Sequence, residues 1–122
     1  MNNQDWVIID FETTGLTDPI YIIEIAAQRM RGWEPDGDPF SVYLNHDVEI
    51  PSEAIAIHGI TNEFINENGL PPEKAHSKFL DYVKDLPLVA HNLSYDWDRC
   101  LIKECNRYSF KIPGTRGFCT LL

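Results

Sequence analysis

The sequence predicts an α/β domain on a single mixed sheet, a three-strand meander followed by parallel strands reached through helices. Three observations predict it. Short apolar runs rich in β-branched residues come first, over Val7–Phe11, Tyr21–Met30 and Phe40–Leu44. Helical periodicity follows, with Ala75, Phe79, Tyr82, Val83 and Leu86 repeating over about Pro72–Asp85. A short apolar run, Leu88–Ala90, and a second helical pattern, Tyr95–Asn106, complete the alternation of strand and helix. A chain of 122 residues has room for one domain and one core.

The first run reads VIIDFETTG from Val7 to Gly15. Residues two apart in a strand share a side, so Asp10 and Glu12 project together at the strand's end. Two adjacent carboxylates repel each other and lose solvation, and a divalent cation with oxygen ligands relieves both costs. A turn-forming Asp at a strand end is the plainer alternative. Thr13, Thr14 and Gly15 then turn the chain, offering hydroxyls and open backbone beside the pair. In the second run Ile23, Ile25 and Ala27 are expected on one face. Pro35, Gly37 and Pro39 mark a hairpin connection, and Phe40, Val42 and Leu44 alternate with Ser41 and Tyr43 in the third strand.

Over Glu53–Thr61 the sequence reads EAIAIHGIT. Pro51 and Ser52 start a short helix and Gly59 ends it. This leaves His58 exposed near the helix end, as a capping or packing residue or as part of a site. The stretch Asn66–Gly69 with Pro71–Pro72 reads as a loop. The segment AHNLSYDWDR, Ala90–Arg99, follows the fourth strand. Asn92 or Ser94 is expected to cap its helix, on which Trp97, Leu101 and Cys105 recur at helical spacing. Asp96 falls in the first turn, where the helix dipole favours a negative charge. It is either a dipole-stabilising surface acid or a third carboxylate meeting Asp10 and Glu12. The second reading requires the first and fourth strands to be adjacent and parallel.

Taken together, DFETTG, EAIAIHGIT and HNLSYD resemble, in order and spacing, the DnaQ-like (DEDDh) branch of the DEDD 3′–5′ exonucleases. Tyr95 stands where that family often has Phe. The resemblance implies an RNase H-like fold, a mixed five-stranded sheet flanked by helices. It implies two divalent ions, Mg²⁺ or Mn²⁺, with Asp10, Glu12 and Asp96 as catalytic residues and metal ligands. Thr13, Gly15, Leu16, Glu53, His58 and Ile60 are implied as contacts to the terminal nucleotide, Leu16 and Ile60 wedging against its base or packing in the core. His91 and Asn92 are expected to support the second motif from behind. The family's third motif brings a His and, a few residues on, an Asp. None of His46, His58, His76 and His91 has that place in the order. GFCTLL resembles the fifth strand and the start of the next helix. The expectation is therefore a single partial exonuclease domain, residues 1–122, with its C-terminal helices missing and weak or no activity alone.

Composition adds its own limits. With 19 acidic and 10 basic residues the net charge is −9, which lacks the basic footprint of a tight nucleic-acid binder. Binding of DNA or RNA 3′ ends would rest on bound cations and on a local stripe of Lys103, Arg107, Lys111 and Arg116, itself readable as a solvated face. An acidic domain also fits work beside a polymerase or in another assembly. Three cysteines, Cys100, Cys105 and Cys119, lack zinc spacing and leave one unpaired, which argues for free thiols in a reducing cytoplasm. No run reaches membrane-spanning length, and polar Met1–Asp5 is not a signal peptide. Apolar surface left by absent helices predicts homo-oligomers. The alternative function is a non-catalytic nucleic-acid-binding or interaction module that retains the exonuclease fold.

Overall fold

The structure, a computed structural model, describes the backbone of residues 4–119 and side chains through Gly117. Residues 1–3 and 120–122, including the end of the GFCTLL stretch, lie outside the described residues. Strand β1, Asp5–Thr13, and strand β2, Ile22–Arg31, form a long antiparallel ladder from Asp5↔Arg31 to Glu12↔Glu24. Strands β3, Glu34–Pro35, and β4, Phe40–Tyr43, both pair with β2. Strand β5, Pro87–Ala90, lies parallel to β1 with Val7↔Leu88 and Ile8↔Val89 in register. Strand β6, Thr115–Cys119, is parallel to β5. The order is β3-β2-β1-β5-β6, with β4 on β2.

This is the expected RNase H-like mixed sheet, with six strands instead of five. The additional strand is β3, two residues that continue the β2 ladder past the hairpin turn. It is too short to leave a periodic signal. The indole N–H of Trp6 donates to the Gly32 carbonyl at 2.7 Å and pins that turn.

Alternation along β1 buries Val7, Ile9 and Phe11 and turns Ile8, Asp10 and Glu12 the other way. On the core face, Phe11 stands beside Ile25 and Val42, and Ile9 beside Ala27 and Phe40. Helix α3, Pro72–Val83, packs on this face through Ala75, Phe79 and Val83. The Phe79 ring meets Phe11 edge to face at 6.2 Å. The helix is two residues shorter than expected, because Lys84 turns to a positive φ of 57°. Ile23 departs from the predicted face. The β1–β2 register slips between Glu12 and Thr13, and Ile23 joins a second apolar cluster with Ile50, Ala54, Ile60 and Ile65.

Helix α1, Ser52–His58, forms much as predicted, with Pro51 at its N-cap and Gly59 as a left-handed cap at φ 74°. Helix α2, Asn62–Asn68, replaces part of the predicted loop. The Thr61 hydroxyl caps it by accepting from the Phe64 N–H at 3.1 Å, a signal present in the sequence as Thr followed by polar residues. After β5 a π-helical segment, Ser94–Leu101, runs directly into helix α4, Ile102–Arg107. The spacing of Trp97, Leu101 and Cys105 keeps those residues near one face in either winding, so the pattern does not distinguish π from α. The expected side-chain cap is absent among the described residues. Leu93 is the N-cap, and Asn92 acts through its carbonyl, which accepts from the N–H groups of Tyr95 and Asp96.

A buried polar group braces the start of β2. Glu104 is fully buried, and its carboxylate accepts from the Ile22 N–H at 2.8 Å and lies 2.6 Å from His76 Nε2. His46 Nε2 lies 2.6 Å from the Ile22 carbonyl, and its Nδ1 faces the Tyr108 hydroxyl. Arg107 donates to the Ile20 carbonyl and lies over the Tyr21 ring, 4.2 Å from its centre. These contacts hold the chain that leads back from the turn after β1.

Candidate active site

The parallel pairing of β1 and β5 is the condition under which Asp96 could approach Asp10 and Glu12, and it is met. Asp10 and Glu12 leave β1 on the face away from the main core, Asp10 open to solvent and Glu12 half-buried. Asp96 is only 7 % exposed, in the first turn of the π segment. Burial, with the Asp10 charge second, pushes its carboxyl up to about 7. The Glu12 carboxyl is raised by burial and by Asp10, less so by Glu24, against a lowering from His58. Asp10 is thus the common neighbour of both acids, and Asp96 is not a simple surface acid. Glu24, directly across from Glu12 in the ladder, adds a fourth carboxylate that the sequence reading missed. Its signal was available in the alternation of β2, once the register was known.

Such a group is costly as it stands and favourable around a hard cation. Among the described residues no three His, Cys, Asp or Glu side chains form a ready-made metal cage. The donor chemistry nevertheless fits. It is all carboxylate oxygen, the ligand type of Mg²⁺ and Mn²⁺, and the raised Glu12 and Asp96 carboxyls mark a site short of positive charge.

Beyond Glu12 the chain turns sharply. Gly15 takes φ 132°, a value that a side chain would strain. Thr13 is buried, while Leu16 is 71 % exposed. A cleft of about 220 Å³ opens here, lined by Glu12, Thr13, Gly15, Leu16, Ile57, His58 and Tyr95 among others. Leu16 and Ile57 also line an adjoining groove of about 540 Å³ that reaches Glu53. Ile57 is 86 % exposed and was missed as a site residue. Its sign was an apolar residue one helical turn on from Ala54, with which it lines both cavities. His58 is tied down at both ring nitrogens. Nδ1 accepts from the Ile60 N–H at 3.0 Å, and Nε2–H donates to the Thr13 carbonyl at 3.1 Å. His58 is therefore half-buried and bound to the turn, where exposure was expected. Ile60 belongs to the second apolar cluster beneath α1 and α2, and does not line the cleft. His91 is not behind the second motif. It is exposed and lines a cavity of about 730 Å³ on the open sheet face, together with Ile8, Asp10 and Ala26.

The basic stripe is largely spent on internal partners. Lys103 approaches Asp18 at 3.6 Å, Arg107 approaches Glu104 at 3.7 Å and Arg116 approaches Asp98 at 3.4 Å, with Arg99, outside the stripe, 3.9 Å from Asp18. Cys100 and Cys105 are free buried thiols, pushed up to about 12 by burial. No helix among the described residues is long and apolar enough to cross a membrane.

The chain is similar in sequence and in fold to known proteins. The chain is 32 % identical over 124 residues to the DNA polymerase III subunit epsilon of Escherichia coli K12, covering 93 % of this chain and 48 % of that protein. It is 37 % identical over 102 residues to the subunit of the same name from Buchnera aphidicola, covering 79 % and 43 %. The chain thus spans about half the length of the curated relatives it matches. A solved structure of exonuclease I in its apo form superposes with a TM-score of 0.80 at 18 % identity, covering 90 % of this chain and 26 % of that one, a likeness of fold. The family model RNase_T, described as Exonuclease, matches residues 7–121, nearly the whole chain. The chain belongs to this exonuclease family, in its DnaQ-like branch.

Proposed function

We propose that residues 1–122 act as a single domain of a metal-dependent 3′–5′ exonuclease, working on single-stranded or frayed ends of DNA or RNA and releasing nucleoside 5′-monophosphates. The observation that carries this reading is that β1, which bears Asp10 and Glu12, runs parallel to β5, whose following helical segment bears the buried Asp96, with the Asp10 charge acting on both other carboxyls. Asp10, Glu12 and Asp96 would hold two divalent cations, Mg²⁺ or Mn²⁺. Such ions polarise a phosphodiester, lower the pKa of bound water and stabilise a leaving oxygen.

The chain's own residues supply the rest. Glu12 sits between the carboxylate group and the cleft, where it can accept a hydrogen bond from a terminal 3′ hydroxyl. The Thr13–Leu16 turn walls the cleft beside the sugar, and the exposed Leu16 and Ile57 offer apolar surface to a base of any identity. Glu53 lies farther along the groove, and Ile60 supports the floor. His58 holds the turn. The family resemblance implies a His and one further Asp, a fourth acid, to complete the set. Residues 1–122 alone therefore bind cation and nucleotide weakly and turn over slowly, a general base being worth about 10²–10⁴-fold.

Two further parts of the reading concern surroundings. The open sheet face with Ile8, Ala26 and His91 supports association with a further element, a polymerase-type assembly or a second copy. A cytoplasmic setting fits the free buried thiols. The test is digestion of a 5′-labelled single-stranded oligonucleotide with Mn²⁺, beside Asp10→Ala. A ladder receding from the 3′ end in the parent and absent in the variant supports the proposal. Retained oligonucleotide binding that is indifferent to Mn²⁺ and to Asp10→Ala would instead favour a non-catalytic binding module.

A further inference from the structure

We infer that Tyr95 and Arg99 are positioning residues that set the shape of the Thr13–Leu16 turn from the segment carrying Asp96. The inference rests on the exonuclease reading of the cleft and specifies which groups make it a pre-formed nucleotide seat. The Tyr95 hydroxyl lies 2.7 Å from Thr13 Oγ1 and donates to the Gly15 carbonyl at 3.0 Å. The Gly15 N–H donates to Thr13 Oγ1 at 3.2 Å. Every hydrogen has a place if Thr13 O–H donates to the tyrosine oxygen, Tyr95 O–H to Gly15, and Gly15 N–H to Thr13. One residue on, the Arg99 guanidinium on the same segment donates to the Leu16 carbonyl at 2.9 Å.

The turn needs this help. Gly15 has the widest conformational freedom of any residue type, and Leu16 is mostly exposed. Thr14 is tied to Tyr21, its N–H donating to the Tyr21 carbonyl and its Oγ1 accepting from the Tyr21 N–H, both at 3.0 Å. The carbonyls of Gly15, Leu16 and Thr13 are held by three side chains, the Tyr95 hydroxyl, the Arg99 guanidinium and the His58 imidazole. Two of these lie in the π-helical segment, one on each side of Asp96. The carboxylate facing Asp10 and the clamp on the turn are thus parts of one rigid element. The distance between a cation at the acids and a base lying on Leu16 is thereby fixed in advance, the arrangement that lowers the cost of ordering a bound ligand.

Tyr95→Phe is the informative variant, since the ring stays packed against the core and only the hydroxyl is lost. The probe is a 5′-fluorescein single-stranded oligonucleotide in Mn²⁺, read by anisotropy so that turnover is not required. Mn²⁺ uptake and the melting temperature are measured alongside. Losing two hydrogen bonds that order the turn is expected to weaken oligonucleotide binding about tenfold, with Mn²⁺ uptake unchanged. A general disturbance of the helix would lower Mn²⁺ uptake too, because Asp96 is the next residue. Binding equal to the parent overturns the inference while leaving the exonuclease reading intact. A parent protein that binds no oligonucleotide with Mn²⁺ overturns the exonuclease reading, and the inference with it. Should Tyr95→Phe not fold, Arg99→Gln decides, because Arg99 lies at the surface. It is expected to weaken binding about threefold, and parental affinity would overturn the inference.

Discussion

Replacing Asp96 by Asn should make the metal-free protein more stable. The carboxyl is moved from an ordinary 3.8 to about 7 by burial and by Asp10. The native state therefore keeps a proton that the unfolded chain releases, and stability falls as the pH rises through that window. The displacement spans about three pH units at about 1.4 kcal/mol each, or about 4 kcal/mol above pH 7. Part of the site is wetted, so about half is the sounder expectation, about 2 kcal/mol. At about 2.1 cal/mol/K per residue, a chain of 122 residues turns that into a rise of about 8 °C at pH 8. The gain should shrink below pH 7 and nearly vanish by about pH 4. Thermal melts of parent and variant in EDTA, at pH 8 and pH 5, provide the assay. An Asp96→Asn protein that melts at or below the parent temperature at pH 8 would refute the reasoning. That result would mean the carboxylate is well solvated or well paired.

Burial holds the His46 imidazole below its usual 6.5, against the Glu104 charge and with His76 and Arg107 also opposing protonation. The stability from keeping it neutral is present above 6.5 and is lost as the pH falls below, since the unfolded chain then takes up the proton. In an Asp96→Asn background, where the opposing trend is removed, the melting temperature should drop between pH 7 and pH 5.5. A flat profile would contradict this. Phe79→Ala removes a fully buried ring lying against Phe11 and Phe40, and should cost about 3–5 kcal/mol in urea unfolding. A cost below about 1 kcal/mol would show that this core is not the one that holds the sheet. Ile57→Ser alters an exposed side chain, so it should change stability by less than about 0.5 kcal/mol while weakening oligonucleotide binding several-fold. Unchanged binding would remove Ile57 from the cleft's working surface.

Much of this was legible in the chain because the relevant signals are short-range. The apolar run before Asp10 and Glu12 has period two, and the strand it predicts places both acids on one side. Pro51 and Gly59 bracket α1 as their backbone preferences require. Signals that depend on register were not legible. Glu24 reaches Glu12 only through a specific antiparallel pairing, and Ile23 leaves its predicted face only because that pairing slips. Helix α2 was hidden because most of its seven residues are polar and only Ile65 is buried. The role of Tyr95 was invisible for a similar reason, since its hydroxyl acts 82 residues back along the chain. His46, His76 and Glu104 look like unrelated surface residues in the sequence, yet they meet at one buried point.

The central claim is that Asp10, Glu12 and Asp96 together form a divalent-cation site. It is tested most directly by titrating Mn²⁺ into the protein at pH 8 and following the free-ion signal by electron paramagnetic resonance, with Asp10→Ala and Asp96→Asn as controls. Specific uptake by the parent is expected, abolished by Asp10→Ala and reduced by Asp96→Asn. Equal uptake by all three proteins would contradict it.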